Sequence, residues 1–76
     1  MSRITFKRVA PDEARIYDHD GDHVGHVYRH ADIVNAGGFV YLVHLTEDPR
    51  GWTRVHDRSR IREVAQHMVD THPLYG

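Results

Sequence analysis

Gly38-Phe39-Val40-Tyr41-Leu42-Val43-His44-Leu45 is the longest apolar run in the chain, and its β-branched and aromatic content favours a strand over a helix. Strand alternation puts Phe39, Tyr41, Val43 and Leu45 on one face and Val40, Leu42 and His44 on the other. Both faces are mainly apolar, so both need cover. One amphipathic helix is legible, near the C-terminus, and a helix covers one face only. The mismatch implies a small antiparallel sheet with a helix on one side and a partner for the other.

Working outward, Arg3 to Val9 reads as a strand in which Ile4 and Phe6 alternate with Thr5 and Lys7. Pro11 and Asp12 end it. Ala14 to His19 and Asp22 to His30 follow as two more strands joined at Asp20-Gly21, a dipeptide suited to a type I′ turn because that turn needs φ > 0 at both central positions. A two-residue loop pairs His19 with Asp22, Asp18 with His23, Tyr17 with Val24, Ile16 with Gly25 and Ala14 with Val27. Ile16, Ala14 and Val27 then share one face, with Gly25 leaving room for a neighbour, while Tyr17, Val24, His26 and Tyr28 share the other.

Ala31 to Gly38 is a connection of mixed character. After the apolar strand, Thr46 to Gly51 is turn chemistry around Pro49, and Trp52 to His56 is a short last strand. Ile61, Val64, Ala65, Met68 and Val69 form one stripe at the helical period, so a helix runs from about Arg58 to Thr71. Asp57 or Ser59 can cap its start, and His72-Pro73 stops it. The tail from Pro73 to Gly76 is short enough to tuck against the sheet. The expected class is α+β in a single domain over residues 1–76: an antiparallel β-meander of three to four strands with one C-terminal helix packed on one face, in the order β-β-β-β-α.

A chain of 76 residues buries only about 60–65% of its unfolded surface, enough to fold alone with little reserve. It has no cysteine, so neither a disulfide nor a thiolate metal site can staple it. With no N-terminal apolar segment of the signal type and no run of 18 apolar residues, the expected location is cytoplasmic, in the host cell if a phage encodes the protein, with no membrane contact.

Net charge is −1, which argues against non-specific nucleic-acid binding as the main activity. The charge is unevenly spread. Ala10 to Asp32 carries six acids against Arg15 and Arg29, whereas Arg50 to Arg62 carries five arginines against Asp57. Eight histidines would swing the chain strongly positive between roughly pH 7 and 5.

Asp18, Asp20 and Asp22 match the first, third and fifth ligands of a calcium loop, but His23 stands where the turn glycine belongs and Arg29 where the final acid belongs. For zinc, His26 and His30 sit four apart on one strand, roughly 13 Å from each other, and cannot share an ion. No metal site and no cofactor is expected. Histidines and acids are plentiful, yet none falls into a catalytic motif, so no enzymatic activity is expected.

Two binding surfaces remain. The first would take a protein partner through Asp18, Asp20 and Asp22 at the acidic hairpin with Tyr17, Tyr28, Trp52 and Arg54, residue types favoured at interface hot spots; the uncovered sheet face could also pair two copies as a homodimer. The alternative is a small nucleic-acid-binding or regulatory domain using Arg50, Arg54, Arg58, Arg60 and Arg62. Three arginines in the first turns oppose the helix dipole, a departure from what stability would choose.

The Asp20-Gly21 hairpin, Val24-Gly25-His26-Val27, Gly37-Gly38-Phe39 and the helix from Arg60 to Val69 together resemble the small α+β proteins of phages and high-GC bacteria, among which anti-CRISPR proteins are prominent. The resemblance covers nearly the whole chain in size and architecture. It implies a non-catalytic phage-type inhibitor that docks on a CRISPR–Cas effector and blocks DNA binding or nuclease recruitment. That group shares no motif, so no residue role is carried over. A dedicated DNA mimic would also be more acidic than this chain.

Overall fold

The computed structural model describes residues 3–32, 38–46 and 51–72. They form five strands, β1 (Thr5–Ala10), β2 (Glu13–Tyr17), β3 (His23–Asp32), β4 (Gly38–Leu45) and β5 (Thr53–Val55), then a 3-10 turn (Arg58–Arg60) and a helix, α1 (Ile61–Thr71). Every strand is antiparallel to its neighbour, and spatial order repeats sequence order, β1-β2-β3-β4-β5. The class is α+β as expected, with five strands in place of three to four. The fifth is the three-residue β5, which pairs Thr53, Arg54 and Val55 with Val43, Leu42 and Tyr41.

The apolar octapeptide is β4 from end to end. Val43 and Leu45 point into the core with Ile4, Ile16, Val27 and Val55, and α1 closes that side with Ala65, Met68 and Val69. Ile61 and Val64 pack at its margin, so the whole helical stripe read from the sequence is used. Asp57 caps the 3-10 turn, its Oδ1 accepting from the Ser59 backbone N–H at 3.0 Å and from the Ser59 hydroxyl at 2.7 Å. His72 is extended (φ −77°, ψ 132°), the backbone a residue before proline prefers.

The β2–β3 hairpin departs from the two-residue loop. Asp18 N donates to Asp22 O and Gly21 N to Asp18 O, which makes a three-residue loop, His19 to Gly21, with Gly21 at φ 85°. Asp18 stabilises it, because its Oδ1 accepts from the backbone N–H groups of both Asp20 and Asp22 at 2.9 Å. The changed loop moves the register: Tyr17 pairs with His23 rather than Val24, a bulge intervenes, and Ile16–Gly25 and Ala14–Val27 pair as expected. Val24 turns into the core as a result, where it is 1% exposed, instead of joining Tyr17, His26 and Tyr28. Burying a valine is worth about 1.5–3 kcal/mol, more than one lost ladder bond.

Gly25 admits β4. A Cβ there would stand 2.5 Å from the His44 carbonyl oxygen. At the N-terminal end, α1 side chains take both backbone groups of Ile4: Gln66 Oε1 accepts from Ile4 N at 3.0 Å, and Arg62 Nη1 donates to Ile4 O at 2.8 Å.

Strand β3 runs to Asp32, so the connection expected from Ala31 starts later; residues 33–37 lie outside the described residues, as do 47–50 of the turn before β5 and the tail 73–76. No described helix is long and apolar enough to cross a membrane.

Candidate functional site

The sheet face opposite α1 is built from alternate residues whose register is fixed by the core on the other side. Across it run Lys7, Arg15, His26 and His44 in one row, and Glu13, Tyr28, Leu42 and Arg54 in the next. Thr5, Tyr17 and His23 form a third row beside the hairpin.

Six rings on this face touch in sequence. Tyr17 and His23 have centroids 5.7 Å apart, His23 and His26 meet edge-on at 4.5 Å, and His26 stacks on Tyr28 at 5.9 Å. Tyr28 meets Trp52 at 5.1 Å, and Trp52 reaches His44 at 4.6 Å. Trp52 remains 49% exposed. The second apolar face of β4 is therefore covered in part by the protein's own rings, and the outer side of that layer meets solvent.

The electrostatics follow from the packing. His23 Nε2 lies 2.9 Å from the Gly25 carbonyl, which can only accept, so that nitrogen carries the proton. His26 Nδ1 is buried without a hydrogen bond, 3.5 Å from Glu13 Oε2. Burial first, and His23 second, hold His26 below the usual imidazole range, with Glu13 opposing. Burial and the neighbouring Glu13 carboxylate push the Tyr28 phenol above its usual range. The face offers stacking surfaces and N–H and O–H donors, the chemistry of recognition.

Of the residues singled out in the sequence for a protein partner, Tyr17, Tyr28, Trp52 and Arg54 come together on this face. Asp18, Asp20 and Asp22 form the hairpin tip beyond Tyr17, with carboxylate oxygens within 4.8 Å of one another and Asp18 Oδ1 spent on the turn. The arginine set is divided. Arg54 lies in the row of Tyr28 on the open face, whereas Arg58 and Arg62 border a cleft on the helix side and Arg60 pairs with Glu63 at 3.7 Å; Arg50 lies outside the described residues. His23, His26, His44 and Glu13 were not anticipated as part of a site. Their signal is present in the strand alternation, but only the bulge brings His23 beside His26.

Comparisons with protein-family models, curated proteins and solved structures found no match.

Proposed function

We infer that this is a non-enzymatic binding protein that docks on a protein partner through the open sheet face. The observation that carries this reading is the run of touching rings ending in the half-exposed Trp52. Aromatic rings held in place by their neighbours lose little freedom on binding, and tryptophan, tyrosine and arginine dominate interface energies. Arg54 at the rim and the acidic hairpin tip supply charges of opposite sign that would set orientation and encounter rate. In its narrower form, the reading takes the inhibitor role implied by the resemblance to anti-CRISPR proteins, with a CRISPR–Cas effector as partner.

The test is capture of partners from host lysate by the tagged protein, with and without nuclease, comparing wild type with Trp52→Ala, Tyr28→Ala and the triple change of Asp18, Asp20 and Asp22 to Lys. A nuclease-resistant protein should be retained by wild type. Trp52→Ala should weaken it by about 2 kcal/mol or more, roughly thirtyfold. If the ring variants retain it as well as wild type does, the open face is not the contact. For the narrower form, the wild-type protein should inhibit DNA cleavage by the captured effector, and no inhibition would dismiss it.

A further inference from the structure

We propose that the helix side of the sheet holds a second, separate site, a cleft that binds a small phosphate monoester with an apolar body. It concerns the face opposite the rings and stands on its own observations. The cleft, about 470 Å3, opens between the sheet and the start of α1, within the roughly 300–1,000 Å3 of small-molecule sites. Its floor is apolar, supplied by Phe6, Val27, Tyr41 and Ile61.

Its walls carry guanidinium groups from four elements, β1, β3, the 3-10 turn and α1. Arg8 pairs with Ala14, which pairs with Val27, and Arg29 pairs with Tyr41, so both leave the sheet on the face that elsewhere forms the core. Arg58 and Arg62 come from the helical side. Two are anchored. Arg29 donates through Nε (3.0 Å) and Nη2 (2.7 Å) to one oxygen of Asp12, and Arg62, fixed by Ile4 O, lies over the Phe6 ring at 5.0 Å. Arg8 and Arg58 have no ion pair and no guanidinium hydrogen bond among the described residues.

The acidic counterweight is small. Glu13 borders the cleft, yet its carboxylate sits on the other face beside His26, leaving Asp12, among the described residues, alone against four guanidinium groups. Placing arginines on the core face of a small sheet and at the positive end of a helix costs stability twice. A bound dianion relieves both, and guanidinium forks match phosphate oxygens. The surplus of charge favours a phosphate over a monocarboxylate, and the floor favours an aromatic or alkyl body.

The experiment is a two-dimensional amide NMR titration of the full chain in low salt at pH 7.5 with phenyl phosphate, inorganic phosphate and benzyl alcohol. Phenyl phosphate should give saturable shifts at Val27, Arg29 and Ile61 and bind about tenfold more tightly than inorganic phosphate, the increment expected for one buried ring edge. Arg8→Gln and Arg58→Gln break no ion pair and no guanidinium hydrogen bond among the described residues and should each weaken it about tenfold, as losing one charged hydrogen bond does. Arg60→Gln, away from the cleft, should leave it unchanged. Inorganic phosphate binding equally well would mean an adventitious ion only. Benzyl alcohol matching phenyl phosphate, or Arg60→Gln weakening binding as much as Arg8→Gln, would also overturn the proposal.

Discussion

His26 shows how one residue ties the site to stability. Its native pKa is depressed, chiefly by burial and by His23, with Arg15 adding to this and Glu13 opposing. A histidine that protonates less readily in the native than in the unfolded chain contributes full stability above the unfolded value near 6.5, and that contribution is lost as pH falls through 6.5 toward the lower native value. Thermal melts at pH 7.5 and 5.0 should therefore show a steeper fall for wild type than for His26→Gln. Equal slopes would place the acid sensitivity elsewhere among the histidines. At this scale the sequence is only partly readable. Alternation put His26 and Tyr28 on one face, but the ring contacts between His23 and His26 depend on a bulge that arises because Asp18 prefers to hold a three-residue loop.

Elements were the most legible scale, since their signals are local. The limits of β4, the apolar stripe of α1 and the pairing of Ile16 with Gly25 all follow from period and hydropathy. The short last strand read from Trp52 to His56 is present as β5, three residues long and held by pairing with β4, so the sheet has five strands and not three to four; what escaped was set between elements, the slip at Val24. Gly25 illustrates such a dependence. Gly25→Ala would push a methyl group into the backbone of β4 at His44, so chemical denaturation should show a loss of about 1–3 kcal/mol or failure to fold. Gln66→Ala removes the acceptor for the part-buried Ile4 amide, and should cost about 1–3 kcal/mol and speed hydrogen exchange at Ile4 first. Unchanged exchange there would show that the bond does not hold the N-terminal segment to the helix.

For the molecule as a whole, charge totals conceal the layout. The arginines of residues 50–62 read as one basic stretch, yet the strand and helix between them send Arg54 to one face of the sheet and Arg58 and Arg62 to the other. A linear pattern cannot show that division, because it depends on where the helix lands. The sequence isoelectric point is about 6.7, so precipitation by polyethylene glycol should be easiest near that pH and harder at pH 5, where the eight histidines take up charge. The meander also carries a kinetic consequence. Each strand meets only its neighbours in sequence, so hairpins can zip in turn with short loops to close, whereas the bonds from Arg62 and Gln66 to Ile4 span 58 and 62 residues. That clasp is entropically the dearest contact to make, which places it late on the folding route: weakening it should hasten unfolding while leaving the folding rate nearly unchanged.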